Sequence, residues 1–410
     1  MTEALEAPPV RRRVPGVVGL VLGVWFVAIV LAAMIVRLPG VVPSGNETTW
    51  DRAVFTSVSA ATLTGFQQSM GVREMAAAGM GGPVVLFLLT LLGTFVSLFV
   101  GGLAGARILR TGHSAKQIAI AALTAQALAT LGGAAALLGS AGDAFEALFQ
   151  AASAFGNSGL WLGAYPTTTG PITHAILLPL AMLGGLGLPV LIELSNWVFG
   201  KNELSRNSRV VLKLTAIAYL GGFVLLMLGQ LSAARSGGWA AWRSTLASCT
   251  SMAVNARTAG IPVQSPAAFT AAGQWILMAL MGVGASSAGT AGGIKLTTVW
   301  HLVRGTRDLL GGKAPQRMCG IAIVWIGFYG IALFVGMVLL AACESAAASD
   351  RLLFMAISAL SNVGLSHDPI SMTGPGLIVM SGLMLVGRVA PLAVLWWTAT
   401  IVDEVDVVVG

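Results

Sequence analysis

Eight long apolar runs divide this chain, at about residues 15–36, 83–106, 117–139, 171–199, 210–231, 268–300, 319–342 and 374–400. A helix needs about 20 residues, at about 1.5 Å each, to cross a bilayer, so each run is long enough for one transmembrane helix. No other feature restricts the fold as strongly. Charged residues make up 10% of the 410 positions. A soluble domain carries roughly 25%, and so few charges cannot cover a water-facing surface. The expected fold is an all-α polytopic membrane protein with eight transmembrane helices.

A net charge of +7 suggests a nucleic-acid partner until the charges are located. Arg11–Arg13 precede the first run. Arg107, Arg110 and Lys116 follow the second, Lys201, Arg206, Arg209 and Lys213 the fourth, and Arg304, Arg307, Lys313 and Arg317 the sixth. These clusters occupy alternate connections, as the positive-inside rule requires of cytoplasmic loops, which also puts both termini in the cytoplasm. No nucleic-acid partner is expected. Three scattered cysteines (249, 319, 343) and four histidines (113, 174, 301, 367) have no disulfide or metal-ligand spacing. The stretch "GTAGGIK" (289–295) is no phosphate loop, since Ile294 stands where a glycine is needed before Lys295 and Leu296 where a hydroxyl is needed after it. The spans hold no paired catalytic constellation, so the chain is not expected to be an enzyme.

The runs pair, and a related segment lies inside each outer connection: "FTSVSAATLTGF" (55–66), "FQAASAFGNSGL" (149–160), "TSMAVNARTAGI" (250–261) and "FMAISALSNVGLS" (354–366). Aligned on one glycine, they place Gly65, Gly159, Gly260 and Gly364 in register. Phe55, Phe149 and Phe354 stand ten residues earlier, with Thr250 in the third copy, and Ser-Ala recurs six and five residues before the glycine in copies one, two and four. The stretches 51–61, 143–155, 242–254 and 350–360 are predicted to be short helices that enter from outside and stop partway. Asp51 and Asp350 are expected to serve as N-caps, where negative charge also suits a helix start. The architecture is then four tandem helix–pore helix–helix repeats around one pore: 1–110, 111–204, 205–308 and 309–410, eight transmembrane helices plus four re-entrant pore helices.

Non-helical backbone at membrane depth is tolerated where it is buried in protein or lines water. A ring of main-chain carbonyls can replace the hydration shell of a monovalent cation. The candidate filter is Thr62, Leu63, Thr64 and Gly65; Asn157, Ser158 and Gly159; Thr258, Ala259 and Gly260; and Asn362, Val363 and Gly364. None is acidic, which favours carbonyl coordination over a carboxylate ring. For any single glycine, helix packing is the plainer reading; four in register reverse that preference.

The sixth run is interrupted by "GVGASSAGTAGGIK" (282–295). Glycine costs a helix interior about 1 kcal/mol relative to alanine, so the helix is expected to break there. A flexible segment beneath a filter suits a gate, and a glycine-rich packing kink is the alternative. The gate set is Gly282, Gly284, Ser286, Ser287, Gly289, Thr290, Gly292, Gly293 and Arg388. Arg388, mid-span in the last run, must face a cavity or a partner. It is expected to hold the 282–293 segment by its carbonyls, with an ordinary interhelical hydrogen bond as the alternative. Lys295 reads as an unremarkable interfacial charge at the inner end of the break. Arg257, three residues before Gly260, is expected to point away from the lumen and brace its loop. Glu193 reads as an interfacial charge, or as a partner of the basic turn at 201–213.

The motifs "NARTAGI" (255–261), "SALSNVGLS" (358–366), "GASSAGTAGGIKLTT" (284–298) and "GRVAPL" (387–392) resemble the Trk/Ktr/HKT superfamily of potassium transporters, over essentially the whole chain. The resemblance implies potassium uptake across the plasma membrane, with potassium as substrate at the filter residues and no cofactor bound by this chain. It implies that the four glycines line the filter, that the broken sixth span is the gate and that Arg388 is the basic residue beside it. It further implies a homodimer in membrane lipid, regulated by a separate cytosolic ring of nucleotide-binding subunits. A serine in the first repeat goes with sodium preference in that superfamily, so Gly65 favours potassium. Eight spans without an extra N-terminal pair are more similar to the Ktr branch. The second loop, "FGNSGL", departs from the commoner double-asparagine form. The alternative function is a sodium- or proton-coupled secondary cation transporter with a midplane site. Such carriers commonly use two inverted repeats, whereas the four copies here run in one sense.

Overall fold

The computed structural model describes residues 14–41, 48–66, 72–200, 203–236, 238–257, 259–367 and 372–401. The elements run α1 (Val14–Ile35), α2 (Trp50–Ala61), α3 (Val72–Ala78), α4 (Gly81–Ile108), α5 (Ala115–Leu137), α6 (Ala144–Gly156), a π turn at Thr173–Leu177 leading into α7 (Leu178–Leu186), α8 (Leu188–Val198) and α9 (Arg206–Gly229). They continue through α10 (Leu231–Ser236), α11 (Gly238–Asn255), α12 (Ala271–Gly282), α13 (Leu296–Leu310), α14 (Arg317–Cys343), α15 (Ser349–Leu360) and α16 (Gly374–Ile401). The basic residues 11–13 and Lys201 lie outside the described residues, as do both chain termini.

Six of these helices, α1, α4, α5, α9, α14 and α16, are long and apolar enough to cross a membrane. Exposed Leu123, Leu128, Ile217, Leu220, Val324 and Phe334 give α5, α9 and α14 an apolar outer surface, as contact with lipid tails requires. The fourth apolar run is not a straight helix. It bends by 114° between α7 and α8, at Gly187 with φ +92°. Pro189 lacks the N–H that would bond the Gly185 carbonyl in a continuous helix. Pro179, by the same chemistry, leaves the Ala175 carbonyl without its α-helical donor inside the π turn at Thr173–Leu177. The sixth run divides at the expected place, into α12 and α13. Alone, α12 has 12 residues, too few to span.

The short helices α2, α6, α11 and α15 match the four stretches read from the sequence to within a few residues. Phe55, Phe149 and Phe354 are buried in the core. The N-terminal ends differ from expectation in two copies. Thr49 and Ala348 are the cap residues, and Asp51 and Asp350 sit inside the first turn. There they favour the helix by charge without capping it. Asp143 does cap α6, accepting from the Glu146 N–H at 2.7 Å.

Each short helix ends against a long one. A methyl group built on Gly93 of α4 would collide with the Ala61 carbonyl, one on Gly184 of α7 with the Phe155 carbonyl and one on Gly387 of α16 with the Leu360 carbonyl. Ala61, Phe155 and Leu360 each stand four residues before the loop glycine of their copy, so three copies use a glycine to bring the second long helix onto the last turn of the short one. Side chains reach the same ends from the first long helix: the Trp25 indole donates to the Ala61 carbonyl at 3.1 Å, and the Tyr329 hydroxyl pairs with that of Ser361 at 2.7 Å. The third copy departs. Gly282 has open space around it, and Arg257 fills the role instead, donating to the carbonyls of Val283 at 3.3 Å and Gly284 at 3.0 Å.

This packing predicts that Gly93→Ala, Gly184→Ala and Gly387→Ala each destabilise the protein by about 1–3 kcal/mol or more, the usual cost of overpacking. Gly282→Ala is neutral or slightly stabilising, since alanine is the better helix former. Thermal unfolding of the purified variants in detergent checks both.

Candidate functional site: a closed ring of four loops

Every copy's short helix hands over to a tight loop. In three of them the handover has one pattern. Leu63, Asn157 and Asn362 adopt left-handed conformations, with φ of +57°, +55° and +50°. Their N–H groups bond the carbonyls of Ala60, Ala154 and Ala359, and the next N–H in each bonds Ser59, Ser153 and Ser358. That double bond pattern is the helix-ending motif in which a left-handed residue follows the cap. Asparagine adopts this conformation readily; leucine does so rarely. Thr258, at the corresponding position of the third loop, lies outside the described residues. Two residues on, Gly65, Gly159, Gly260 and Gly364 have φ of +83°, +69°, +57° and +81°. An alternation of right- and left-handed residues turns successive N–H groups to one side and leaves carbonyls on the other.

Side chains then pin each loop to its own helix. Ser59 donates to the Phe66 carbonyl at 3.3 Å and Ser153 to the Leu160 carbonyl at 2.6 Å. In the third loop Asn255 does so twice, donating to the Ile261 carbonyl at 2.6 Å and accepting the Ile261 N–H at 2.9 Å. The serine recurring six residues before the glycine in the sequence is thus a loop clasp in copies one and two.

The four loops meet around one centre, in chain order. A methyl group on Gly65 would collide with the Ser158 carbonyl, and one on Gly159 would lie 2.8 Å from the Gly260 carbonyl and 3.0 Å from that of Ala259. A methyl on Gly260 would collide with the Val363 carbonyl, and one on Gly364 with the Thr64 carbonyl, which closes the circle. Each glycine therefore abuts main-chain carbonyls of the next copy. Thr62, Leu63, Thr64, Asn157, Ser158, Ala259, Asn362 and Val363 are all buried here.

Immediately beside this ring lies the break in the sixth run. Its two arms pair, with Gly284 N–H to the Ile294 carbonyl at 3.0 Å and Ile294 N–H to Gly282 at 2.9 Å. The bend in the fourth run receives it: the N–H groups of Ser286 and Thr290 donate to the carbonyls of Gly185 and Gly184, both at 3.1 Å, the former being the carbonyl that Pro189 leaves free. Ser287 bonds Thr297 by their hydroxyls. Methyls on Gly289 and Gly292 would strike Gly185 and Ser361, and one on Gly284 would strike Gly292 across the arms, while Gly293 turns the chain at φ +72°.

Thr290 joins this segment to the ring. Its hydroxyl accepts from the Asn157 side chain at 2.7 Å and donates to the Phe155 carbonyl at 3.3 Å. Its carbonyl accepts from Arg388 at 2.5 Å. The same guanidinium donates to the carbonyl of Thr62 at 2.7 Å and approaches the Ser97 hydroxyl at 3.5 Å. The structure thus places Arg388 against the 282–293 segment, and also against the first loop, a contact not read from the sequence. Asn362 mirrors Asn157, donating to Thr64 at 3.0 Å and to the Met384 carbonyl at 2.9 Å.

Of two charged residues near the inner ends of these runs, Lys295 sits differently from expectation and Glu193 meets the turn at 201–213 through Ser205. Lys295 is not interfacial: it is 6% exposed, and its ammonium donates to the Ala291 carbonyl. Glu193 accepts from the N–H and hydroxyl of Ser205, at 3.0 and 2.9 Å, and so secures the start of α9. Among the described residues no cluster of three or more His, Cys, Asp and Glu side chains has the arrangement of a metal site.

No family model matches the chain. Individual relatives do. It is 29% identical to the Ktr system potassium uptake protein B of Vibrio alginolyticus over 271 residues, 62% of this chain and 59% of that protein, less than two thirds of its length. It is 26% identical to the potassium/sodium uptake protein NtpJ of Enterococcus hirae, over 94% of this chain and 93% of that one. With the Ktr system potassium uptake protein B of Bacillus subtilis it shares 27% identity over 90% of this chain and 89% of that protein. In fold it is similar to the potassium transporter TrkH of Vibrio parahaemolyticus, with a TM-score of 0.70 at 17% identity, covering 98% of this chain and 87% of that structure. The chain is thus similar in sequence, along nearly its full length, to membrane subunits of Ktr-type potassium uptake systems, and it shares the all-helical membrane fold of TrkH.

Proposed function

We propose that this chain is the pore-forming subunit of a potassium uptake system in the plasma membrane. Four repeats, at 1–110, 111–204, 205–308 and 309–410, surround one axis with eight spans and four re-entrant helices. The observation that carries the reading is the closed ring, in which each loop glycine abuts main-chain carbonyls of the following copy. Such a ring substitutes carbonyl oxygens for water around a monovalent cation. The C-terminal ends of α2, α6 and α15 lead directly into it and add partial negative charge. The potassium assignment rests on the relatives, two of which are named as Ktr system potassium uptake proteins. Those names also support a regulatory system of more than one subunit. A homodimer, a cytosolic nucleotide-binding ring and cytoplasmic termini remain part of the proposal on the strength of the superfamily resemblance.

The 283–295 segment is the gate in its closed arrangement. It is held by Arg388, by the bend between α7 and α8 and by the end of α6. The positive charge of Arg388 also raises the barrier to a cation on the axis. A coupled carrier is the second reading, and one relative's name joins sodium to potassium. Four loops of one sense around a single centre favour the pore.

Growth of a potassium-uptake-deficient bacterium at limiting potassium tests the assignment. The wild-type chain, with its regulatory partner, restores growth. Gly260→Ser, whose side chain would meet the Val363 carbonyl from a backbone at φ +57°, raises the potassium needed by at least about tenfold, equivalent to about 1.4 kcal/mol of lost ion stabilisation. Rescue that survives serine at all four glycines removes the filter assignment, and failure of the correctly inserted wild type removes the function. In proteoliposomes, Arg388→Gln, which gives up the charge on two carbonyl bonds, raises basal rubidium flux; unchanged flux contradicts the gate.

A further inference from the structure

We propose that Lys295 is a second positioning residue of the gate: together with Arg388 it clamps two successive carbonyls of the loop, Ala291 and Thr290, and so holds the loop closed. The inference rests on the pore reading and adds a residue that the sequence left without a role.

Its location argues against a purely structural duty. Lys295 is the residue that precedes α13, with extended backbone at φ −68° and ψ 142°, and no side-chain bond caps the helix. A helix N-terminus carries partial positive charge and disfavours a cation; serine, threonine or aspartate would serve better there. The side chain is also buried, and an ammonium out of water costs several kcal/mol unless its partners are excellent. A lysine in this place is unfavourable on both counts. What it gains is the bond back across the turn at Gly292 and Gly293, to the Ala291 carbonyl. The adjacent carbonyl, Thr290, is taken from the following quarter of the chain by Arg388 at 2.5 Å. Two cations from different elements thus grip neighbouring peptide units of one glycine-rich loop.

The same side chain has somewhere to go. It lines a cavity of about 60 Å³ between α13, α14 and α16, whose other polar lining residues are Ser287, Thr297, Thr298, His301 and Thr398. When the loop withdraws, the ammonium exchanges the Ala291 carbonyl for these groups and the water such a space admits. A buried charge that is costly for stability and selective for one arrangement of a mobile element is the pattern of a switch.

The experiment uses the full chain in proteoliposomes, with Ser286→Cys as a reporter in the loop, probed by a membrane-impermeant methanethiosulfonate. Rubidium influx is measured in parallel, and the parent without the new cysteine serves as the blank. Lys295→Met removes the charge at similar length; Lys295→Arg keeps it. The expected result is a labelling rate and a basal influx at least about tenfold higher in Lys295→Met, equivalent to about 1.4 kcal/mol less closed-state bonding, and close to the parent in Lys295→Arg. If Lys295→Met does not insert, Lys295→Gln takes its place. Labelling unchanged by loss of the charge, or raised as much by arginine, overturns the proposal. The labelling does not depend on which ion permeates. Faster labelling without any rubidium influx in any variant would retain the clamp and reject the pore, whereas normal influx with unchanged labelling would reject the clamp alone.

Discussion

At membrane depth every main-chain polar group must find a partner inside the protein, and this structure is organised by how it meets that demand where its helices stop. Helix termini leave N–H and C=O groups unpaired, and four short helices stop in the interior. In three of them the last carbonyls are taken by the N–H groups of the following loop, through the left-handed residues Leu63, Asn157 and Asn362. Trp25 takes one more, at Ala61. With those N–H groups turned back to the helix, the carbonyls just ahead of the loop glycines have no helical donor. They face the glycine of the preceding copy. The ring is what remains when the donors have been used and the acceptors have not.

The two irregular spans obey the same accounting and solve it together. The bend at Gly187 and the missing N–H of Pro189 release the carbonyls of Gly184 and Gly185, and the N–H groups of Thr290 and Ser286 in the broken sixth run bond them. Neither irregularity is stable in apolar surroundings without the other. Arg257 and Arg388 take three more of the break's carbonyls, those of Val283, Gly284 and Thr290. Thr290 uses its N–H, its carbonyl and its hydroxyl to meet four different partners. Through Asn157 and Arg388 the loop is in hydrogen-bond contact with the ring itself, so a displacement of one is felt by the other.

Much of this was legible in the residues. The runs announce helices, the recurring glycines announce the loops, and "GVGASSAGTAGGIK" announces its break because five glycines cannot sustain a helix. Arg388 was legible too, since a mid-span cation must be satisfied. Other features were hidden for physical reasons. The fourth run is as apolar as any span, and only Gly187 followed by Pro189 hints at its bend; hydropathy averages over both. Lys295 at the edge of an apolar run looks like an interfacial charge, because burial depends on how α13, α14 and α16 pack around it. The left-handed turn at Leu63 has no signal at all, as leucine is there against its preference. The substitution of Arg257 for a packing glycine in the third copy becomes visible only when the copies are compared in space.

The central claim is that the ring of carbonyls around Gly65, Gly159, Gly260 and Gly364 binds the permeating ion. Anomalous diffraction from crystals grown in rubidium or thallium in place of potassium tests it most directly. The account predicts a peak on the common axis of the four loops, within coordination distance of the carbonyls of Thr64, Ser158, Ala259 and Val363. An ordered protein with no peak there, or with its strongest peak at a separate site between helices, would contradict it.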